Sequence, residues 1–239
     1  MKRPVELLVL AGGFGTRLRS AVPGVPKVLA PVSGRPFLDY LVENWLRQEV
    51  TGITFLLHYQ ADIIDAFLAA SRGSEHLKRC AMRTVTEREP LGTGGAVANA
   101  VRELKLTGSF LLANADTWLG SGIERVFEVE SPAMAIVRVA DTGRYGRVLT
   151  QEDKVVAFAE KQRSTGAGEI NAGLYHLHAG LFQDWKGEPL SLERELFPRL
   201  AGEGRLRAVD LKTDFIDIGV PEDYFRFCRW IESERTGGL

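Results

Sequence analysis

Apolar residues at the start of the chain form a short unbroken run, residues 7–10, that ends in glycines. Such a run marks a strand buried on both faces, so the chain is expected to open on its central strand. Phe37, Tyr40, Leu41, Asn44 and Trp45 then follow helical spacing, and residues 53–57 are again strand-like. The order repeats. Ile63, Ile64, Phe67 and Leu68 predict a helix, residues 82–85 a strand, 96–104 a helix and 110–113 another apolar strand.

After residue 118 the rhythm changes. Residues 133–139, 147–160 and 170–177 read as strands, the middle stretch turning back on itself at Glu152 and Asp153. These are expected to extend the sheet with antiparallel members. A helical pattern returns at 192–200. Pro221 suits the first position of a last helix, 221–233, carrying Tyr224, Phe225, Cys228 and Ile231. Alternating elements of this kind predict an α/β fold: one three-layer α/β/α Rossmann-like domain over residues 1–239 with a mixed, mainly parallel sheet. No linker, composition break or internal repeat divides the sequence.

Composition narrows the classes. The 239 residues are 45% hydrophobic and 26% charged, enough for one sizeable core. Thirty Lys and Arg against 31 Asp and Glu give a formal charge of −1, which offers no general field for a nucleic acid. Phosphate binding must therefore be local. Cys80 and Cys228 lie far apart without metal-ligand spacing, so both are expected to be reduced core thiols. His58, His76, His176 and His178 form no triad or metal spacing. The N-terminal apolar run is interrupted by Glu6, and no stretch approaches the roughly 20 apolar residues that span a bilayer. A cytoplasmic protein with no membrane partner is expected.

Between the first strand and first helix lies Ala11-Gly12-Gly13-Phe14-Gly15-Thr16-Arg17-Leu18. Missing side chains let backbone N–H groups approach phosphate oxygens, and Arg17 adds a permanent cation. The loop is not a dinucleotide fingerprint, because Leu18 fills the third glycine position. Nor is it a Walker loop, because no Gly-Lys-Ser/Thr follows. Taken with Pro26-Lys27, LAGGFGTRLRS…VPKVLAPVSGRPFLDY resembles the N-terminal signature of the sugar-phosphate nucleotidyltransferases. The resemblance continues in order as EREPLGTGGAVANA, LLANADT, RYGRV, FAEKQ, INAGLY and DFIDIGVPEDY. Within the family the chain is most similar to the single-domain D-glycero-α-D-manno-heptose 1-phosphate guanylyltransferases, with the mannose-1-phosphate enzymes close behind.

The resemblance implies transfer of a nucleotidyl group from a nucleoside triphosphate, GTP favoured, to a sugar 1-phosphate with release of pyrophosphate. Elements in 5–118 would bind the nucleotide and elements in 133–220 the sugar phosphate. Leu10, Ala11, Gly12, Gly13, Gly15 and Thr16 would cradle the triphosphate. Arg17 would contact its departing part, and Lys27 would neutralise charge near the α-phosphate. Asp116 and Asp217 would share a Mg²⁺ ion, whose hard-ligand preference suits carboxylates and phosphates. Asp116 follows an apolar strand at the end where ligands of open α/β sheets gather. Asp217 lies between Ile216 and Ile218, so its side chain should point away from the core. Glu87 and Gly92 would meet the nucleobase edge, where a carboxylate accepts from adjacent N–H groups of guanine; Glu87 reads equally well as a solvated charge. Tyr145, Gly146, Glu160, Lys161 and Asn171 would hold the sugar phosphate. Asn171, in a strand-like apolar run, needs a partner in any case.

Four positions depart from the family pattern: Val28, Ala115, Gln162 and Val220. All leave the charged groups in place, so they bear on loop geometry and substrate preference. The implied product, a GDP-heptose, is an activated donor for capsule or lipopolysaccharide. Rival readings are a GDP-mannose enzyme, an enzyme using UTP, dTTP or CTP, and a non-catalytic sensor of sugar nucleotides. The sequence leaves a homodimer open.

Overall fold

The structure is a computed structural model that describes residues 5–71, 80–159 and 166–236. The first half runs β1 (Val5–Leu10), a small hairpin of β2 (Pro31–Val32) and β3 (Arg35–Pro36), α1 (Phe37–Arg47), β4 (Val50–Leu57), α2 (Ala61–Ser71), β5 (Ala81–Thr86), α3 (Gly92–Glu103) and β6 (Ser109–Asn114). Next come β7 (Thr117–Leu119), α4 (Ile123–Glu128), β8 (Ala133–Val139), β9 (Arg147–Gln151), β10 (Lys154–Ala159) and β11 (Gly168–His178). The chain ends with α5 (Phe197–Gly202), β12 (Arg207–Asp210), β13 (Phe215–Asp217) and α6 (Pro221–Thr236).

The main sheet has the order β5-β4-β1-β6-β11-β8-β12-β10-β9. β1 pairs in parallel with β4 and β6, which puts the opening apolar run at the centre of the parallel half of the sheet. Antiparallel pairing begins where β11 meets β6, and among the described strands of this sheet only β11 and β10 run against the rest. Alternation along β1 sends Leu7 and Val9 into one apolar layer and Leu8 into the other. The first layer takes the apolar faces of α1, α2, α4 and α6, and the second those of α3 and α5. This is the expected three-layer arrangement.

Four local expectations need correction. In α6 the buried apolar side chains are Tyr224, Phe227 and Ile231, whereas Phe225 is 48% exposed. Spacing of three and four residues, rather than adjacency, sets the face that a helix buries. Phe227 reaches Phe37 in α1, with ring centroids 4.9 Å apart, and burial of such a ring contributes about 1.5–3 kcal/mol. Second, α3 starts at Gly92, four positions before the apolar pattern begins. Its glycines are helical because Leu190 packs against them: the N–H groups of Gly94 and Gly95 donate to the Leu190 carbonyl at 2.8 and 3.1 Å. Third, the helix over 192–200 is two pieces. Residues Leu192–Leu196 form a widened turn, with Leu196 N–H reaching the Ser191 carbonyl, before α5 begins. Pro198 has no N–H to give the Arg194 carbonyl, so the regular ladder is broken there. Both cysteines are free thiols; Cys80 is buried, and Cys228 is partly exposed rather than in the core. Among the described residues no helix is long and apolar enough to cross a membrane.

Candidate active site

The glycine loop leaves the C-terminal end of β1 between two neighbours that hold it there. Ala11 N–H donates to the Leu56 carbonyl at 3.0 Å, and Ala115 N–H donates to the Leu10 carbonyl at 3.1 Å. Leu18, the residue that replaces a fingerprint glycine, is 2% exposed and roots the loop in the core. Gly15 has φ +58°, and a Cβ built there would stand 3.0 Å from the Cβ of Lys27. The loop can therefore lie against Lys27 only with glycine at this position.

Lys27 begins a single tight turn, Lys27–Leu29, fixed by the buried side chains of Val28 and Leu29. Its ammonium donates to Asp116 Oδ2 at 2.6 Å. Asp116 follows β6, and its other oxygen, Oδ1, accepts from the Thr117 hydroxyl at 3.1 Å. Asp217 arrives from the far end of the sequence on β13, which pairs antiparallel with β7 so that Asp217 faces Thr117. The Ile218 N–H donates to the Asp116 carbonyl at 2.9 Å, locking the two segments side by side. Ile216 and Ile218 are buried, and the Asp217 side chain turns back to accept from Gly219 N–H at 2.6 Å. Arg17 completes the group: a Cβ at Gly219 would lie 3.4 Å from Arg17 Nη2 and 2.7 Å from Asp217 Oδ1.

Two neighbouring carboxylates in one cleft do not behave alike. Burial opposes the charge on Asp116, but the adjacent Lys27 ammonium overcomes this and holds its carboxyl below the usual range. At Asp217 burial and the Asp116 charge together push the carboxyl up, with Lys27 and Arg17 offsetting only part of the rise. The described residues hold no group of three or more His, Cys, Asp and Glu side chains fit to cage a metal; the donors here are this carboxylate pair.

Two cavities meet at this point. One, of about 240 Å³, is lined by Gly13, Thr16, Arg17, Lys27, Asp116 and Gly219. The other, of about 400 Å³, is lined by Gly12, His58, Glu87, Gly92, Asn114 and Glu193 among others. Leu10, Gly13, Phe14 and Asp116 border both. Burial raises the Glu87 carboxyl above its ordinary value, against the opposing hydrogen bond from Leu91 N–H to Oε2 at 2.9 Å. Glu87 is thus neither wholly solvated nor wholly spent on its own loop.

The residues expected on the sugar side are placed differently. Tyr145 borders a third cavity of about 690 Å³ and meets Phe215 edge-on, with centroids 5.8 Å apart. Gly146 follows it immediately before β9, with the Ala159 carbonyl 3.8 Å from where a Cβ would stand. Asn171 donates to the buried Tyr175 hydroxyl at 2.8 Å and accepts from Gly173 N–H at 2.9 Å, pinning an irregularity in the β11–β8 register. Its partner is therefore within the protein. Glu160 and Lys161 lie outside the described residues. Sequence reasoning did not single out Phe14, Asn114 or Glu193. Phe14 carried a faint signal, an aromatic ring between glycines, and it is 50% exposed. Glu193 carried none, because it enters the cleft through a widened turn that packs on α3.

The sequence profile described as Nucleotidyl transferase matches residues 6–234. A D-glycero-alpha-D-manno-heptose 1-phosphate guanylyltransferase of Campylobacter jejuni is 30% identical over 225 residues, 93% of this chain and 98% of that protein. A mannose-1-phosphate guanylyltransferase of Mycobacterium tuberculosis is 32% identical over 93% of this chain, which spans 63% of that longer protein. Among solved structures, HddC from Yersinia pseudotuberculosis complexed with GMP-PN is 32% identical with TM-score 0.83, covering 95% of this chain and 99% of that one. With the profile spanning almost its whole length, and its glycine loop, lysine and paired aspartates converging on one cleft, this chain belongs to the nucleotidyl transferase family.

Proposed function

We propose that the protein is a sugar-1-phosphate guanylyltransferase that moves GMP from GTP to D-glycero-α-D-manno-heptose 1-phosphate and releases pyrophosphate. The observation that carries this reading is the convergence of Arg17, Lys27, Asp116 and Asp217 beside the smaller cavity, with Asp116 bordering both. An in-line attack of a sugar-phosphate oxygen on the α-phosphorus brings two anions together and expels a third, so catalysis rests on positioning and on positive charge. Backbone N–H groups of the loop and the Arg17 guanidinium would hold the departing pyrophosphate. Lys27, now paired with Asp116, would turn its ammonium toward the α-phosphate. The smaller cavity, lined by the glycine loop, Arg17 and Lys27, would take the phosphates, and the one lined by Glu87 would take the base.

The carboxylate pair fits Mg²⁺, a hard cation that takes one or two carboxylates and completes its shell with substrate phosphates and water. Asp116 and Asp217 would hold it, and when bound it would supply charge neutralisation at the reacting phosphates. Guanine is favoured because a carboxylate can accept from two adjacent N–H groups of that base and from one in uracil. The heptose is favoured by the Campylobacter relative, which this chain matches over nearly the full length of both.

The test is pyrophosphate release with Mg²⁺ across five triphosphates and a set of sugar 1-phosphates including mannose, glucose and the heptose. Best turnover with GTP and the heptose phosphate is expected. A different best pair corrects the substrate, and binding without release in any pair turns the reading to a non-catalytic sensor.

A further inference from the structure

Asp223, in the first turn of α6, is a carboxylate only 7% exposed. It is held from two sides. Arg144 donates to Oδ2, and Arg226 lies 3.2 Å from Oδ1 on the next turn of the same helix. The Tyr145 hydroxyl is 3.4 Å from Oδ2, and Arg144 in turn donates to that hydroxyl at 3.0 Å while its guanidinium sits 5.4 Å from the Tyr145 ring centroid. A carboxylate this far from water is costly unless its partners are well placed, and that cost makes the geometry specific.

What the cluster joins matters more than its strength. The loop 141–146 is tied at one end to Gly166, whose carbonyl accepts from Thr142 N–H at 3.1 Å. It is braced internally by Tyr145 N–H to the Thr142 carbonyl at 2.9 Å and Gly143 N–H to Asp141 Oδ1 at 2.8 Å. At its other end the loop reaches α6 only through Arg144 and Tyr145, as far as the described residues go. That helix starts directly after the turn that follows Asp217, and the Tyr145 ring rests against Phe215 on the same short strand. The placement of Tyr145-Gly146 relative to Asp217 is thus set from two sides, by Phe215 against the ring and by Asp223 against Arg144 and the Tyr145 hydroxyl.

We infer that Asp223 is a positioning residue for the sugar-phosphate side of the site: it fixes the loop carrying Tyr145 and Gly146 against the segment carrying Asp217. This rests on the function proposed above. Asp223 acts through its partners Arg144 and Tyr145.

The test combines hydrogen exchange with kinetics on Asp223→Asn, which keeps the shape, and Arg144→Ala, whose side chain is half exposed and whose loss leaves the core untouched. Both variants should exchange faster in residues 141–147 than wild type, with the central strands unchanged. Both should raise KM for the sugar 1-phosphate about tenfold, as small misplacements do, while KM for the triphosphate stays within about twofold. Unchanged exchange at 141–147 would overturn the anchor, and a parallel rise in both KM values, or none in that for the sugar phosphate, would overturn the positioning role. If wild-type protein releases no pyrophosphate with any pair, the functional reading falls, and the exchange result decides the anchor by itself.

Discussion

Lys27 and Asp116, 89 positions apart in sequence, form a hydrogen-bonded ion pair of 2.6 Å in the cleft beside the glycine loop. The lysine side chain is 12% exposed and the aspartate 36%, so the pair is open to the cleft on the carboxylate side. A ligand entering there meets a carboxylate that is already charged and already oriented.

Asp116→Asn should therefore cut pyrophosphate release by at least about a hundredfold, since it removes a charge aimed at the reacting phosphates while preserving shape. Circular dichroism should stay that of wild type. The pair's contribution to stability is present above the ordinary carboxylate range and is lost as pH falls through the lowered value of Asp116. The variant should melt below wild type at neutral pH, and the gap should close in acid. Wild-type turnover would remove Asp116 from the mechanism.

Asp217 has the opposite sign. Its carboxyl is raised, so the folded state favours the protonated form, and this advantage is lost as pH rises through the raised value. At neutral pH the wild-type protein carries that cost. Asp217→Asn should therefore lose activity yet melt higher, each kcal/mol relieved appearing as about 2–4 °C for a chain of this size. Lowering the pH through the raised value should erase the gain. Melting curves from neutral to acid pH check this, and a variant that melts lower at neutral pH would contradict it.

The two glycines flanking Phe14 should respond differently to alanine. At Gly15 the positive φ and the 3.0 Å approach to Lys27 make the substitution strained, so Gly15→Ala should lower both the melting temperature and the affinity for triphosphate. A Cβ on Gly13 meets nothing within 4 Å, so Gly13→Ala should leave stability within about 0.5 kcal/mol and raise KM for the triphosphate alone. Equal melting temperatures for the two variants would refute the Lys27 contact.

Val220 precedes the first residue of α6, and its carbonyl already accepts from Tyr224 N–H at 3.1 Å. Val220→Thr supplies the missing cap hydroxyl with little change in volume. A gain of about 1 kcal/mol is expected, read as about 2–4 °C in the melting temperature. No gain would mean that the first turn of α6 is satisfied by other groups.

How much of this was legible beforehand depends on how local each cause is. The runs at 7–10, 53–57 and 110–113, inside the strands at 5–10, 50–57 and 109–114, are legible because a strand buried on both faces is apolar along nearly all its length. The start of α3 was hidden because its glycines are helical only under Leu190, almost a hundred positions away. Phe225 and Phe227 are equally apolar, and the rings of Phe37, Tyr40 and Trp118 receive only the one that shares a face with Tyr224 and Ile231.

The same division holds for the site. The sequence by itself determined the order of the strands' apolar runs, the glycine loop that can lie against phosphates, and the charged residues worth watching, because each depends on side-chain chemistry or on neighbours a few positions away. Tertiary structure alone decided that Lys27 neutralises Asp116, that Asp217 is raised beside it, that Asn171 spends its amide on Tyr175 and Gly173, and that Asp223 reaches Arg144. Electrostatic coupling and hydrogen bonding act over a few ångströms in space, and only sheet pairing brings these distant positions within that range.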